Sequence, residues 1–307
     1  MSKITLSIAA LAITTGSAIA ADLPSRTSAP MFSPPPAPAP LWTGFYMGLN
    51  AGGTWANNNR QTIDAGPVTT TDGWPSGAQD HLIAHLAGFS SAASVGLNSG
   101  ANAGFVGGGQ FGYNWQLYGS FVAGAEADIQ GLAGNSGGGS VLKAVSVGDG
   151  HMFVSAHSLR GSIDYIGTVR GRVGWLFTPT LLLYGTGGFA YGGVSLNSAS
   201  YVIHVGGVRQ LPVITGGANF SDTQIGWTAG GGVEWMFLPN WSAKVEYLYY
   251  DLGTVAQNFA MPSVNAAGTQ SAVFAGQARA RVTGNIVRAG LNYHLNWSSP
   301  SPVFARF

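Results

Sequence analysis

The chain has 307 residues, including 47 glycines and no cysteine, and its 13 basic and 12 acidic residues make up only 8% of it, against about 25% in soluble domains. This fraction of charged residues is too low for a soluble globule, and the aromatic content of 11% argues against disorder. Because acidic and basic residues are nearly equal in number, there is no reason to expect a nucleic-acid partner. No run of about 18 apolar residues follows residue 20, so a transmembrane β-barrel fits better than a helical membrane protein.

Two short segments precede the predicted barrel. Residues 1–20 contain a basic Lys3, a short apolar core and a small-residue end, which predict a cleaved signal peptide. A membrane anchor is the alternative, but the apolar core is too short to span a bilayer. Residues 21–41 are predicted to be a proline-rich periplasmic linker, because six prolines lie between positions 30 and 40. The barrel is predicted over 42–297, with a C-terminal tail at 298–307.

Eight segments of the barrel region have alternating apolar and polar positions, as transmembrane strands do. They cover residues 43–55, 104–115, 120–130, 164–177, 181–193, 224–237, 241–252 and 284–296. The odd positions of these segments form the apolar face, and only one charged residue, Asp251 at the end of its segment, falls on it. Even positions carry the charged residues Glu126, Asp128, Arg170, Arg172, Glu234, Lys244, Glu246 and Arg288. A charge facing lipid near the midplane would cost about 2–4 kcal/mol, so the even positions are predicted to face the barrel interior.

The connections between these segments alternate in length. Three are short, at 116–119, 178–180 and 238–240. Four are long, at 56–103, 131–163, 194–223 and 253–283. The pattern predicts an all-β fold, an eight-stranded antiparallel up-and-down transmembrane β-barrel with short periplasmic turns and four long extracellular loops. Such a barrel resides in the outer membrane of a Gram-negative bacterium, and residues 199–215 are expected to form a hairpin that extends it.

Aromatic residues cluster at the two ends of the predicted strands, where interfacial girdles are expected. The predicted girdle at the short-turn end consists of Trp42, Trp115, Trp175, Phe177, Trp235, Phe237, Trp241 and Trp297. The other consists of Trp55, Tyr191, Trp227 and Tyr249. A soluble barrel with these aromatics in its core is the alternative, but it would place its charges outside.

Five motifs of the chain carry a family resemblance: ADLP at 21–24, WTGFYMG at 42–48, VRGRVG at 169–174, LYGTGG at 183–188 and VRAGLNY at 287–293. With these motifs the chain resembles the small outer-membrane barrel proteins of rhizobia and their relatives. That family is often called outer-membrane immunogenic proteins or porin-family barrels, and it is similar to the OmpA transmembrane domain. The resemblance covers the strands and the N-terminal region but not the long loops. It implies an eight-stranded outer-membrane barrel without known enzymatic activity, a role in envelope integrity and, in some relatives, haem binding.

The chain departs from this family at its C-terminus. Relatives often end near the aromatic end of the last strand, where the barrel-assembly machinery recognises a terminal aromatic residue. Here the chain continues to Phe307. The assembly signal is therefore either the internal segment 293–295 or the terminal Phe307.

The four acidic and four basic interior residues have two interpretations. An eight-stranded barrel is only wide enough for side chains to fill it, so paired charges would largely plug the lumen and stabilise the barrel. We therefore expect a structural or surface role in the cell envelope. The alternative is a small low-conductance porin for ions or small solutes.

Other candidate sites carry weaker signals. Arg279 and Arg281 are predicted to face outward above the bilayer if strand eight continues there, where they could contact lipopolysaccharide phosphates, but a solvated loop is the favoured interpretation. His81 and His85 have a helical spacing, but without further ligands nearby a polar surface loop is expected, and no metal or cofactor is predicted. The adjacent His157 and Ser158 do not make a catalytic pair, so no enzymatic activity is expected.

The expected partners are outer-membrane lipids, lipopolysaccharide and the barrel-assembly machinery. Binding of haem or lipopolysaccharide by the long loops remains a further alternative.

Overall fold

The computed structural model describes residues 41–57, 60–70, 79–98, 103–117, 119–206, 213–264 and 270–295. The predicted signal peptide, the C-terminal tail and nearly all of the linker lie outside these residues. The described residues form eleven strands and one helix. In chain order these are β1 (Gly44–Ala56), β2 (Arg60–Thr70), α1 (Gln79–Ala93), β3 (Val95–Asn98), β4 (Ala103–Leu117), β5 (Phe121–Ala133), β6 (Gly137–Gly148), β7 (His151–Thr178), β8 (Leu181–Val205), β9 (Ile214–Leu238), β10 (Trp241–Val264) and β11 (Gln270–Leu295).

All of the strand pairings in this part of the chain are antiparallel, and the sheet closes into a ring. The pairing order is β1, β4, β5, β7, β8, β9, β10, β11, and β11 pairs again with β1. The remaining strands lie off this ring: β2 pairs with β11, β3 with β2 and β6 with β7. Closure satisfies the hydrogen-bonding groups that an open sheet edge would leave unpaired.

The prediction of eight strands separated by four long loops needs correction, because eleven strands are described and the predicted loops are largely ordered. Segment 56–103 holds β2, α1 and β3, and segment 131–163 holds β6 and the first half of β7. Segments 194–223 and 253–283 are mostly continuations of the ring strands, and the hairpin expected at 199–215 is formed by the ends of β8 and β9. Inward and outward positions alternate in these regions too. The pattern is hard to recognise in the sequence because many of these positions hold Ser, Asn, Thr or Gly, which differ little in hydrophobicity.

Two irregularities reverse which positions face inward along a strand. In β7 the register with β8 shifts between Ile163 and Tyr165, so that odd positions are buried before it and even positions after it. In β10 the register with β11 shifts between Asp251 and Thr254, next to Gly253 with a φ of +80°. An extra residue in one strand of an antiparallel pair has this effect. A parity rule extended from the membrane-length segments therefore fails beyond them.

The interior of the ring has a polar middle between two apolar ends. Outward-facing odd positions such as Leu49, Val169 and Ile225 are exposed, as expected of strands that face lipid. Helix α1 has 15 residues, and within the described ranges no helix is both long and apolar enough to cross a membrane.

Candidate functional site

The interior site is built by five strands that each place charged side chains at even positions. β5 carries two acids, β7 two arginines, β9 one glutamate, β10 a lysine and a glutamate, and β11 one arginine. The residues are Glu126, Asp128, Arg170, Arg172, Glu234, Lys244, Glu246 and Arg288, and all eight are buried. Neighbouring strands are in register so that Glu126 lies opposite Arg170, Glu234 opposite Lys244 and Glu246 opposite Arg288.

One half of the network is formed by two arginines that each contact two or more carboxylates. Arg170 donates to Asp128 at 2.8 Å, to Glu246 at 3.0 Å and, in a short contact, to Glu126. Arg288 donates to Asp128 at 2.9 Å and to Glu246 at 2.6 Å. Guanidinium groups suit this role because they present several donors in one plane. The two arginines therefore join strands on opposite sides of the ring.

The other half lies nearer the short-turn end. Lys244 donates to both carboxylate oxygens of Glu126 at 2.9 Å. Arg172 donates to Glu234 at 2.6 Å, and its guanidinium carbon lies 4.2 Å from the centre of the Tyr184 ring. Each of the four acids thus has a basic partner, and the charges of the set sum to zero. Buried charges are tolerable only with such pairing.

Neutral side chains supply further hydrogen bonds that our sequence reading did not include in the site. Tyr46 donates to Glu126 at 2.7 Å and Tyr184 to Glu246 at 3.1 Å. Thr168 donates to Asp128 at 2.8 Å, and Asn292 donates to Glu234 at 2.7 Å. All four lie at even positions of ring strands, so the parity that identified the charges would also have found them.

An apolar cluster fills the interior at the short-turn end. It consists of Trp42, Val122, Leu176, Leu182, Tyr184 and Met236. Trp42 is fully buried and donates from Nε1 to the carbonyl of Pro179 at 2.9 Å. The assignment of Trp42 to the interfacial girdle is therefore wrong, because this side chain turns inward from the residues before β1. Trp115, Trp175 and Trp235 are exposed on the outside of the ring, and Trp297 lies outside the described residues.

A second apolar layer lies on the other side of the charges. Val106, Ile166, Leu248, Tyr250 and Ile286 are buried there and belong to one continuous hydrophobic cluster. This cluster continues into the parts of the ring strands beyond the membrane-length segments. The charged network is therefore enclosed from both ends by packed apolar side chains.

Arg279 and Arg281 lie on the outer side of β11, and both are exposed. Arg281 donates to Asp251 of β10 at 2.6 Å. Asp251 is buried and also accepts from the backbone N–H of Gly253 at 2.9 Å. The two arginines thus stand two positions apart on one face, with Arg281 held by an ion pair.

The region around His81 and His85 is helical, and the expectation of a polar surface loop there is wrong. Both residues belong to α1, which packs on β2, β6, β7 and β8. His85 lies beside two histidines that are far from it in the sequence: the ring centres of His85 and His151 are 5.2 Å apart, and those of His85 and His204 are 5.3 Å apart. The side chain of His81 lies outside the described residues.

His157 contacts α1 and β8 and forms no hydrogen bond with its neighbour Ser158. Its Nε2 donates to the carbonyl of Ala92 at 3.0 Å, and its Nδ1 lies 3.0 Å from the hydroxyl of Ser200. Burial lowers the pKa of His157, the hydrogen bond to Ala92 opposes this, and the positive charge of Lys143 lowers the pKa further. These contacts hold the end of α1 against the sheet.

Comparison with known proteins agrees with this architecture. Residues 10–294 match the family described as the outer membrane protein beta-barrel domain. The chain is 36% identical over 258 residues to the 31 kDa outer-membrane immunogenic protein of Brucella melitensis, covering 82% of this chain and 87% of that protein. It is 31% identical over 140 residues to the 22 kDa outer membrane protein of Rhizobium leguminosarum bv. viciae, covering 46% and 49%.

Among solved structures, the outer membrane protein OprG from Pseudomonas aeruginosa is similar, with 8% identity and a TM-score of 0.36, over 82% of this chain and 97% of that chain. A likeness this distant says nothing of function. The relatives with higher identity are named as outer-membrane proteins and not as enzymes. The chain therefore belongs to the outer-membrane β-barrel family that includes the outer-membrane immunogenic proteins, and it is an outer-membrane protein of a Gram-negative bacterium.

Proposed function

We propose that this protein is a structural and surface component of the outer membrane whose lumen is closed. The observation that carries this proposal is the pairing of all four interior acids with the four interior bases. The eight strands of the ring would be the membrane-spanning strands, with short turns in the periplasm. In a barrel of this size the side chains fill the interior, and here they do so with a neutral, hydrogen-bonded network.

A low-conductance porin is the alternative, and it would need a continuous water path beside the network. The interior arginines argue against such a path, because Arg170 and Arg288 each contact acids from more than one strand. An ion passing through would have to displace these contacts, and leaving a buried charge without its partner costs about 3–5 kcal/mol. The apolar layers around Trp42 and around Leu248 would add two dry barriers.

The length of the ring strands supports the surface role. Strands β7 to β11 have between 24 and 28 residues, whereas about 9–11 residues cross the hydrocarbon core. More than half of each strand would then project from the membrane. We propose that this projecting part, with β2, β3, β6 and α1, lies outside the cell and meets the environment.

Partners follow from this placement. Outer-membrane lipids would contact the outward apolar positions, and the barrel-assembly machinery would insert the chain. Lipopolysaccharide is a further proposed partner, because Arg279 and Arg281 are exposed on the outside of β11, close to the start of its membrane-length part. Arginine binds phosphate with paired hydrogen bonds.

Proteoliposome swelling tests the closed lumen. The folded protein, identified by its heat-modifiable migration, is placed in one set of vesicles. A general porin is placed in a second, parallel set. We expect vesicles with this protein to swell in small sugars and salts no faster than protein-free vesicles. Swelling at a rate that approaches that of the porin vesicles would support the porin alternative instead.

A further inference from the structure

Three histidines that are far apart in the sequence meet at the end of the ring opposite to the short turns. They are His85 of α1, His151 at the start of β7 and His204 near the end of β8, and one nitrogen of each lies within 4.8 Å of the others. We propose that this cluster, which we call the His triad, binds a divalent transition-metal ion of the Zn²⁺ class. This proposal concerns a different part of the chain from the closed lumen and does not depend on it.

The strand pairing explains why two of the three imidazoles face each other. His204 lies opposite Phe153 in the β7–β8 register, and His151 is two positions before Phe153. Residues two apart on a strand share a face, so both imidazoles lie on the inner side of the hairpin. Their nearest nitrogens, Nδ1 of His151 and Nε2 of His204, are 3.0 Å apart.

The docking of α1 brings the third imidazole to the same place. The carbonyl of Ala92 accepts hydrogen bonds from Ser155 at 2.7 Å and from His157 at 3.0 Å. Lys143 of β6 donates to the carbonyls of Ser91 and Ser94 at the helix end, where a positive charge is favourable. These contacts fix the end of the helix.

The spacing along α1 then directs His85 to the sheet. His85 lies four residues before Phe89, so both side chains share one face of the helix. Phe89 is buried against Phe153, with ring centres 6.1 Å apart. His85 is thereby placed above the His151–His204 pair.

The chemistry of the His triad matches a metal site. Three imidazoles and one open position are a common ligand set for Zn²⁺ and are also accepted by Cu²⁺ and Ni²⁺. With metal–nitrogen bonds of about 2.0–2.1 Å in a tetrahedral site, ligand nitrogens lie about 3.4 Å apart. One pair is already near this separation, and small side-chain rotations would bring the third nitrogen in.

The surroundings of the His triad favour a bound ion over a simple hydrogen bond between two histidines. The ring of Phe153 lies 5.1 Å from that of His204 and 6.0 Å from that of His85. The Phe153 ring therefore shields one side of the His triad from water. The other side, where His151 is half-exposed, is open to solvent.

Equilibrium dialysis of the tag-free, folded protein in detergent against Zn²⁺ tests the proposal. We expect one Zn²⁺ per chain, and at least about 100-fold weaker binding in each of His85→Gln, His151→Gln and His204→Gln, because even outer-shell changes cost 10–100-fold. Co²⁺ in place of Zn²⁺ should give the intense visible absorption of a four-coordinate site.

His294→Gln is the matched control, because it removes an imidazole from the opposite end of the ring, beside Trp42. It should bind Zn²⁺ as the unaltered protein does. Heat-modifiable migration shows which variants fold, and the three triad variants test the site independently. Absence of stoichiometric Zn²⁺ binding in the unaltered protein would overturn the proposal, and so would unchanged affinity in a folded triad variant.

Discussion

Arg288 and Asp128 lie 160 positions apart in the sequence and form an ion pair of 2.9 Å inside the ring, with both side chains fully buried. Arg288 comes from the last strand of the chain, and Asp128 from β5. The pair therefore joins strands that are not neighbours in the sheet, and it can form only when the ring has closed. Folding of the barrel and neutralisation of its interior are in this way coupled.

Removal of Arg288 should destabilise the barrel strongly. Arg288→Met leaves Asp128 and Glu246 without one of their buried partners, and breaking such a pair costs about 3–5 kcal/mol. The free energy of unfolding would be measured by urea titration in lipid vesicles.

The same strand offers a matched control for Arg288. Arg281→Met breaks an ion pair in which the arginine side chain is 61% exposed and Asp251 is 6% exposed. Asp251 keeps its hydrogen bond from the backbone N–H of Gly253, and water can replace the exposed arginine, so we expect a loss below about 1 kcal/mol. Equal unfolding free energies for the two variants would contradict an energetic role for the interior network.

Two adjacent glycines of β1 should respond differently to alanine. A Cβ at Gly52 would lie 2.1 Å from the carbonyl oxygen of Val287 and 2.6 Å from the Cα of Arg288, whereas a Cβ at Gly53 would have only one atom within 4 Å, at 3.8 Å. Overpacking costs about 1–3 kcal/mol, so Gly52→Ala should lower the free energy of unfolding by that amount. Gly53→Ala should change it by less than about 0.5 kcal/mol. If both variants have the same free energy of unfolding, the close approach of the neighbouring strand does not require glycine at position 52.

The docking of α1 should weaken at acidic pH. The pKa of His157 is lowered in the folded protein by burial first and by the charge of Lys143, so the unfolded segment takes up a proton before the folded one does. The stability that the neutral His157 provides is complete above its ordinary pKa of about 6.5 and is lost as the pH falls below that value.

Hydrogen exchange of the α1 amides, corrected for intrinsic rates, measures this effect. With a chelator present, protection should be lower at about pH 5.5 than at about pH 7.5. In His157→Gln the difference should shrink. Protection that rises as the pH falls would contradict the assignment.

If lipopolysaccharide binds at the outer face of β11, the amount bound should depend on the positive charges there. Replacing Arg279 and Arg281 together by serine removes two exposed cations from one face and should reduce the amount of lipopolysaccharide that co-purifies with the folded barrel. The matched control is Arg160→Ser, which removes an exposed arginine from β7. If the double variant retains as much lipopolysaccharide as Arg160→Ser, the contact is not made at these residues.

The sequence predicted the interior well and the projecting part poorly, for physical reasons. Glu126, Arg170 and Arg288 could be placed on one face because a charge facing lipid is costly, which makes the alternation sharp. Beyond the bilayer that cost disappears, so the alternation fades, and the register shifts near Ile163 and Asp251 reverse it.

Two long-range features could not be predicted from the sequence. Nothing local joins His85 to His151 and His204, because a helix and two strand ends must first pack together. Trp42 is a residue type that is expected in an interfacial girdle. Its side chain points inward because of the direction of the chain before β1.

Single-channel recording in planar bilayers tests the central claim, a closed lumen, most directly. With the folded protein inserted, as shown by heat-modifiable migration of the same preparation, we predict no conductance steps in any salt or at any voltage that the bilayer withstands. Reproducible steps from the unaltered protein would contradict the closed lumen and establish a pore.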